Sequence, residues 1–195
     1  MSHMQLIAQN LDVSNLLTQI SVKPELWKKD TYHKDFPDYP FTQTETIYLR
    51  FTPDAKNFVH GGNQDIHECE WMDGAIHLPA ARPFIFGLMA KLEAERLGRV
   101  IITKLQAGGT IFPHVDPDFM HTYWTRFHLS IQSAPGCTCR CETEQVYMRP
   151  GEMWRFNNGV EHCVENNSAT DRIHMILDMR LFHVKHEGQL PQKPL

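Results

Sequence analysis

Four residues that can bind metals or anions lie close together in the segment GGTIFPHVDPDFMHTYWTRFHLSI, residues 108–131. His114 and Asp116 are two positions apart, and Arg126 and His128 repeat that spacing. Residues two apart on a strand project to the same face, so each pair can serve one site. A single His-x-Asp pair is weak support for a metal site, because most histidines in a globular domain are surface or hydrogen-bonded core residues. The pair is informative only if the rest of the chain supplies further ligands.

A third candidate ligand lies later in the chain, in the segment VEHCVENNSATDRIHMILD, residues 160–178. The segment reads as a hairpin, and a turn at its polar centre would place His162 opposite Arg172 on one face. Two histidines and one carboxylate form the facial triad of non-haem Fe(II) oxygenases, which leaves coordination positions open. A nearby arginine can bind a carboxylate bidentately. We therefore predict a metal bound by His114, Asp116 and His162, with a 2-oxoglutarate site beside it.

The elements that must position these residues are mostly short strands. Segments rich in β-branched and aromatic residues, separated by Gly, Pro, Asn and Asp, predict strands over 99–106, 110–115, 125–132, 137–143, 145–148, 152–156, 160–165 and 171–179. Before them we predict a helical region over 1–43, a strand over 46–51 and a helix over 82–98, with Pro83 near its start and Gly98 just past its end. This order predicts a mainly β fold with flanking helices, a double-stranded β-helix (jelly roll, cupin-like) with helices packed on one sheet.

Polar and apolar residues alternate along two of the predicted strands, 126–131 and 172–178. The apolar residues of each strand share one face, which can bury against the helices. The opposite faces carry four basic residues that would line the inside of the barrel: Arg126, His128, Arg172 and His174. The alternative interpretation is that this polar face is simply exposed to solvent.

Composition limits the classes of function. The 195 residues carry a net charge of -4, which argues against a nucleic-acid or anionic-membrane partner, because both require a clustered basic face. No uninterrupted apolar stretch is long enough for a membrane span. We expect a single domain with N-terminal helices, strand and possible lid loop over 1–98, a jelly-roll catalytic core over 99–180 and a C-terminal tail over 181–195.

Five cysteines, an odd number, argue against a disulfide framework and for a reducing compartment. The N-terminal residues MSHMQLIAQN lack the basic region and apolar run of a signal peptide, so we expect a cytoplasmic protein. Cys137, Cys139 and Cys141 alternate along one predicted strand. Zinc motifs usually turn between their ligands, so we interpret these three cysteines as structural rather than as a zinc or redox site.

The region 99–180 resembles the aspartyl/asparaginyl β-hydroxylase-like family of Fe(II)/2-oxoglutarate-dependent dioxygenases. The matching pieces are PHVD, RFHLSI, PGCTCRCETEQVYMRPGEMWRFNNGVEH and DRIHMILDM. The resemblance implies a jelly-roll enzyme that uses Fe(II), with 2-oxoglutarate and O2 as cosubstrates, to hydroxylate an unactivated carbon. His114 and His162 fall on the metal-binding histidines of the family. Some members lack the carboxylate ligand, whereas Asp116 stands at its position here.

The same resemblance assigns the cosubstrate contacts. Arg172 falls on the arginine that binds the far carboxylate of 2-oxoglutarate. Arg126 and His128 fall on an Arg-x-His-Leu element that resembles a second set of cosubstrate contacts, and Thr103 and Leu105 complete the expected site.

The substrate is less well defined by the sequence. The resemblance implies a small amino-acid-like molecule or a peptidyl Asp/Asn-type residue, and the length of the chain favours the small molecule. Candidate substrate contacts are His121, His174, Arg50, Arg82 and Arg155. The irregular segment 52–78 is a candidate lid over the site, and a solvated surface loop is the alternative. Asp118 competes with Asp116 as a ligand but breaks the His-x-Asp spacing.

Two other classes of function stay open at this point. One is a non-catalytic cupin-like protein that binds a metal or small molecule, for example a sensor. The other is a metal-dependent cupin-type enzyme without 2-oxoglutarate, in which Arg172 would contact the substrate instead.

Overall fold

Two antiparallel sheets face each other in the computed structural model of the chain, which describes residues 2–29, 40–52 and 68–182. The strands are β1 (Met4–Ala8), β2 (Thr44–Phe51), β3 (Glu70–Trp71), β4 (Ala94–Leu105), β5 (Thr110–His114), β6 (Thr125–Gln132), β7 (Cys137–Cys141), β8 (Glu144–Val146), β9 (Met153–Phe156), β10 (His162–Asn166) and β11 (Arg172–Leu181). The helices are α1 (Ser14–Ser21), α2 (Asp73–His77), α3 (Ala81–Lys91) and α4 (Asp118–Thr122), with a 3-10 helix over Pro24–Lys28.

The larger sheet has the strand order β1-β9-β6-β11-β4-β2-β3, and the smaller sheet has the order β5-β10-β7-β8. The chain passes repeatedly from one sheet to the other, which is the connectivity of a jelly roll. All eight strands predicted after residue 98 are present, and the predicted fold class is confirmed. Strands β1 and β2 from the N-terminal region join the larger sheet. No helix in the described ranges is long and apolar enough to cross a membrane.

The two faces of the larger sheet differ as the alternation predicted. Phe127 and Leu129 of β6 and Met175 of β11 lie on the outer face, in one buried cluster with residues of α1 and α3. Burying such apolar surface is the main stabilising contribution to the fold. The inner face meets the smaller sheet, where Leu105 and Phe156 pack in a second cluster with residues of β5, β7 and β10. The basic residues of β6 and β11 therefore project between the sheets rather than into solvent.

The N-terminal half differs from the prediction in two places. Residues 4–8 form a strand rather than part of a helix, because they pair with β9 at the edge of the larger sheet. The helix predicted over 82–98 ends at Lys91, and β4 begins at Ala94. Gly98 therefore lies within a strand, where a Cβ atom would be 3.0 Å from the ring of Trp124. The close packing of Trp124, not a helix end, accounts for glycine at that position.

The predicted hairpin between His162 and Arg172 is wrong. Strand β10 pairs with β5 and β7, whereas β11 pairs with β4 and β6, so the two strands belong to different sheets. The chain crosses between the sheets directly after Asn166, whose side-chain amide donates to the carbonyl oxygens of Leu105, Gln106 and Thr170. Side-chain hydrogen bonds of Asn166 thus hold a connection that the sequence pattern had assigned to a turn.

Candidate metal centre and active site

Three potential metal ligands meet at the end of the smaller sheet. His114 ends β5 and His162 begins β10, and the two residues are direct partners in the ladder. Asp116 follows β5 by two residues. One ligand atom from each of the three side chains lies within 4.8 Å of the others, and Nε2 of His114 is 3.7 Å from Oδ1 of Asp116. The structure therefore brings the three predicted metal ligands together.

The ring orientation of both histidines suits metal binding. Nδ1 of His114 is 2.7 Å from the carbonyl oxygen of Phe112, and Nδ1 of His162 is 2.8 Å from that of Val160. A carbonyl oxygen only accepts, so each Nδ1 carries the proton and each Nε2 offers a lone pair. Nε2 of His114 is buried and has no hydrogen-bond partner among the described residues. A buried lone pair without a partner is what a metal ligand presents before the ion binds.

Asp116 is held with one oxygen free for a metal. Its Oδ2 accepts hydrogen bonds from the Arg126 guanidinium and, at 2.9 Å, from the side-chain amide of Asn158. Its backbone N–H donates to the carbonyl oxygen of Asn158 at 3.1 Å. Burial raises the pKa of the Asp116 carboxyl, but Arg126 and Asn158 together hold it well below its usual range. Oδ1 of an ionised carboxylate thus faces His114. Two imidazole nitrogens and one carboxylate oxygen fit a first-row divalent cation.

Buried histidines around the site are kept neutral. Burial and the neighbouring His114 lower the pKa of His162 to about 4. Burial, reinforced by the charge of Arg172, holds the pKa values of His128 and His174 well below the ordinary value. A neutral ring can bind a metal through its free nitrogen without first losing a proton, and its N–H can donate to an anionic ligand.

These pKa shifts predict that the metal-free protein loses stability as the pH falls from about 6.5 towards 4. In this window the unfolded chain binds protons on His128, His162 and His174 that the folded chain does not bind, so stability rises with pH. Each histidine contributes up to about 1.4 kcal/mol per pH unit. Scanning calorimetry with a chelator present, at pH 4.5 to 7.5, measures the slope. His128→Gln should reduce this slope, and a melting temperature independent of pH in this window would contradict the prediction.

Arg172 is a charged residue that lies almost fully buried between the sheets. It is only 2% exposed, and its guanidinium donates a 2.9 Å hydrogen bond to Nδ1 of His174. Among the residues that the structure describes, no carboxylate pairs with it. A buried charge without a counter-ion costs several kcal/mol. An anionic ligand would supply the missing counter-ion.

Further polar atoms without partners lie beside Arg172 on the inner face. Thr46 and Thr103 are paired across β2 and β4, and Thr103 is paired with His174 across β4 and β11. Several polar atoms here are buried and have no hydrogen-bond partner in the described part of the chain. They are Oγ1 of both threonines, Nε2 of His174 and both ring nitrogens of His128. Leu105 is the ladder partner of Arg172. This face therefore carries four of the predicted cosubstrate residues: Thr103, Leu105, His128 and Arg172. Sequence reasoning missed Thr46, although the alternation of residues in the segment TETIY could have indicated it.

Aromatic rings link this polar group to the metal ligands. The ring of His128 stacks on Phe156 at 4.6 Å, Phe156 lies 5.0 Å from the ring of His162, and His174 lies 6.1 Å from that of His128. His174 in turn contacts Arg172. The metal ligands and the guanidinium of Arg172 therefore lie on one continuous wall between the sheets.

Arg126 occupies a different position from that of Arg172. Its Nε and Nη2 donate to Asp178 at 2.8 and 3.1 Å, and its Nη1 donates to Asp116. All of these bonds go to carboxylates of the chain itself. The cosubstrate contact predicted for Arg126 stays a prediction, and the structure places its guanidinium directly behind the metal-binding carboxylate. Sequence reasoning missed Asp178 and Asn158. Asp178 follows the alternation of β11, which could have indicated it, whereas Asn158 belongs to no such pattern.

The candidate substrate contacts are spread over the molecule. His121 packs on Gly159 and lies 3.3 Å from Asp118, whose side chain is 98% exposed and does not join the metal ligands. His174 lies beside Arg172, as described. The guanidinium groups of Arg50 and Arg82 both lie over the ring of Trp71, at 5.5 and 5.6 Å.

Arg155 is the ladder partner of Phe127, so it lies on the outer face, opposite to the metal ligands. Its position does not suit the predicted contact with substrate, because alternation along β9 turns it away from the site. Most of the candidate lid, residues 53–67, lies outside the described residues. Residues 68–78 are not irregular throughout, since they contain β3 and α2.

Cys137, Cys139 and Cys141 are free and buried on one strand, which agrees with their predicted structural role. All five are free and buried. Cys137, Cys139 and Cys141 alternate along β7 and pack between the sheets, where burial raises the pKa of Cys139 to about 12. A protonated, buried thiol such as that of Cys139 behaves as a small apolar side chain.

A jelly roll that brings two histidines and one carboxylate together is typical of non-haem metal proteins whose ion keeps free coordination positions. The chain belongs to the aspartyl/asparaginyl β-hydroxylase family, whose sequence pattern matches residues 77–181, more than half of the chain. The resemblance noted from the sequence motifs is thereby confirmed.

Individual proteins are similar to part of the chain or to its fold. The chain is 29% identical over 77 residues to the L-proline cis-4-hydroxylase of Rhizobium meliloti (strain 1021). That match covers 40% of this chain and 28% of the relative, so it spans less than a third of the relative's length. Among solved structures, an oxidoreductase of the 2OG-Fe(II) oxygenase family from Burkholderia pseudomallei is 12% identical with a TM-score of 0.58, covering 91% of this chain and 85% of that one. A viral collagen prolyl hydroxylase from Paramecium Bursaria Chlorella virus-1 is 11% identical with a TM-score of 0.51, covering 94% and 97%. These two likenesses show the fold.

Proposed function

We propose that the protein is an Fe(II)/2-oxoglutarate-dependent dioxygenase that hydroxylates an unactivated carbon of a small amino-acid-like substrate. The observation that carries this proposal is the wall that joins a 2-His-1-carboxylate set to the buried guanidinium of Arg172, which has no carboxylate partner among the described residues. A dicarboxylate that binds a metal at one end and a cation at the other fits such a wall. Family membership supports the same reaction class.

Each residue of the site has a defined task in this proposal. His114, Asp116 and His162 would hold the ion and leave its remaining positions to cosubstrate and O2. When bound, Fe(II) and 2-oxoglutarate supply the oxidising chemistry, with conversion of 2-oxoglutarate to succinate and CO2. Arg172 would bind the distal carboxylate as a planar fork.

The neutral rings and the threonines complete the contacts to the cosubstrate. The N–H of the neutral His128 ring would donate to the metal-proximal end of the cosubstrate, and Arg126 is proposed to assist there through its charge. The hydroxyls of Thr46 and Thr103 and the Nε2–H of His174 would donate to the distal carboxylate beside Arg172. Phe156 and the thiols of β7 exclude water from this interior. These contacts position the cosubstrate, while the hard chemical step belongs to the metal and cosubstrate.

The direct test is formation of succinate from 2-oxoglutarate by the purified protein with Fe(II), ascorbate and O2. Binding of N-oxalylglycine, measured by calorimetry on the Mn(II)-loaded protein, should accompany it. Binding of the analogue without turnover of any offered substrate would favour the cupin-like sensor. Turnover of a substrate that needs the metal but not 2-oxoglutarate would favour the other cupin-type enzyme.

The hydroxyl of Thr46 provides a finer prediction. Thr46→Val should raise the apparent constant for 2-oxoglutarate about two- to tenfold, because one hydrogen bond to the ligand is lost at about 0.5–1.5 kcal/mol. Titration of N-oxalylglycine into the Mn(II)-loaded variant measures the change directly. Thr44→Val is the matched control, since the hydroxyl of Thr44 already donates to the carbonyl oxygen of Phe41. Equal ligand constants for the two variants would contradict the assignment of Thr46.

For the substrate, we propose a free amino acid such as a cyclic imino acid. The relative named L-proline cis-4-hydroxylase supports this class, and the peptidyl Asp/Asn alternative follows from the family. A panel of free amino acids and of Asp- and Asn-containing peptides, with succinate release as readout, separates them. Activity confined to folded proteins or peptides would overturn the small-molecule preference. Five free, buried cysteines support the proposed cytoplasmic location, because such thiols persist in a reducing compartment.

A further inference from the structure

A chain of four alternating charges, of which the first three are buried and the last is partly exposed, leads away from the metal centre across the larger sheet: Asp116, Arg126, Asp178 and Arg99. We propose that Asp178 and Arg99 are positioning residues for the metal centre, acting on Asp116 through Arg126. The inference deepens the proposed function, since it rests on the same metal site, but it concerns residues that do not touch the ion.

Asp178 is the centre of this chain. Its Oδ1 accepts from Nε of Arg126 at 2.8 Å, and its Oδ2 accepts from Nη2 of Arg126 at 3.1 Å. The same Oδ2 accepts from Nε and Nη2 of Arg99 at 2.8 and 2.5 Å. The Asp178 side chain is 1% exposed, and four hydrogen bonds from two guanidinium groups satisfy it. Burial raises the pKa of the Asp178 carboxyl, but the two arginines hold it below its ordinary value, so it is ionised.

The sheet builds this arrangement from three neighbouring strands. Asp178 lies on β11 directly opposite Arg126 of β6. On its other side the ladder to β4 is irregular between Leu177 and Met179, at the position where Arg99 approaches. Gly98 leaves room there, because a Cβ atom would lie 3.1 Å from the carbonyl oxygen of Asp178. The local irregularity and the glycine thus allow a second arginine to reach the same carboxylate.

The geometry determines how Arg126 meets the metal carboxylate. Because Asp178 takes the Nε–Nη2 edge, Arg126 presents Nη1 to Oδ2 of Asp116 and leaves Oδ1 facing His114. Without Asp178 the guanidinium could turn and bind both oxygens of Asp116, in competition with the ion. Arg99 prevents Asp178 from shifting away from Arg126. Two carboxylates and two guanidinium groups also make the chain neutral overall, so no excess positive charge opposes the cation.

The two outer residues allow positioning to be separated from simple charge. Asp178→Asn removes a negative charge and Arg99→Gln removes a positive one, so an effect of charge alone would weaken metal binding in the first variant and strengthen it in the second. Loss of positioning should weaken binding in both. We expect about 10- to 100-fold weaker binding for Asp178→Asn, the range typical of residues that orient metal ligands. Arg99→Gln should weaken binding several-fold, with partial recovery in Arg99→Lys.

The experiment is calorimetric titration of the metal-free protein with Mn(II), with the Co(II) absorption spectrum as a second readout of ligand geometry. Glu95→Gln is the matched control, because its ion pair with Arg180 also joins β4 to β11 at 2.5 Å but is well exposed. If Asp178→Asn does not fold, the Arg99 variants decide. Wild-type metal affinity in folded variants, or tighter binding by Arg99→Gln, would overturn the inference. Metal binding by the wild type without succinate formation would instead count against the proposed function alone.

Discussion

His162→Ala is expected to abolish metal-dependent succinate formation and to weaken metal binding more than about 100-fold, beyond the loss typical of residues that only orient ligands. His162 is the ladder partner of His114, and its Nε2 carries a lone pair because Nδ1 donates to Val160. Alanine removes one of the three protein ligands, so only two would remain to hold the ion. Mn(II) titration of the metal-free protein and succinate release measure the two effects separately.

The matched control for that variant is His121→Ala. His121 lies near the site on α4, but it contacts Gly159 and Asp118 rather than the metal ligands. The His121→Ala variant should therefore bind Mn(II) with the affinity of the wild type. Full activity and unchanged metal affinity in His162→Ala would mean that the ion is held elsewhere.

Arg172→Met is expected to raise the constant for 2-oxoglutarate at least tenfold while leaving metal binding intact. Truncating one partner of a buried charge pair costs about 2–5 kcal/mol, and each 1.4 kcal/mol is a factor of ten. Arg172→Lys should recover only part of the affinity, because lysine lacks the planar fork. N-oxalylglycine titration into the Mn(II)-loaded variants measures the effect without turnover.

The free protein should respond in the opposite sense. Arg172 is buried without a carboxylate partner among the described residues, so methionine removes an uncompensated charge. The ligand-free Arg172→Met variant should therefore melt at the same temperature as the wild type or higher. Arg180→Met is the control on the same strand, since Arg180 pairs with Glu95 near the surface. Unchanged ligand affinity in Arg172→Met would refute the assignment of the carboxylate site.

Local sequence patterns were sufficient for the strands after residue 98 and for grouping His114 with Asp116. No local pattern links His162 to these two residues, and the hairpin predicted for its segment is wrong. Alternation placed Phe127 and Leu129 on the outer face and His128 on the inner face, because a strand permits no other arrangement. The spacing of His114 and Asp116 likewise lies within one short segment. Such features are encoded by neighbours in the chain and can be predicted without the fold.

The errors concern contacts between distant segments. The sequence of β10 and β11 is compatible with a hairpin, but the two strands pair with different neighbours, and the side chain of Asn166 bonds to Leu105 and Gln106 where the chain crosses to the other sheet. β1 becomes a strand because it finds a free edge on β9. The ion pair between Arg126 and Asp178 depends on which strands become neighbours. None of these choices is determined by composition or periodicity.

The thiols of β7 have a kinetic consequence. Cys137, Cys139 and Cys141 lie between the sheets on the same interior that holds the unpaired polar atoms. A thiol reagent can reach them only when the sheets separate, so their modification rate reports the frequency of that opening event. A ligand that binds only the closed interior slows the opening in proportion to its saturation. The rate at which these cysteines are modified therefore measures the fraction of protein that holds a ligand, without any catalytic turnover.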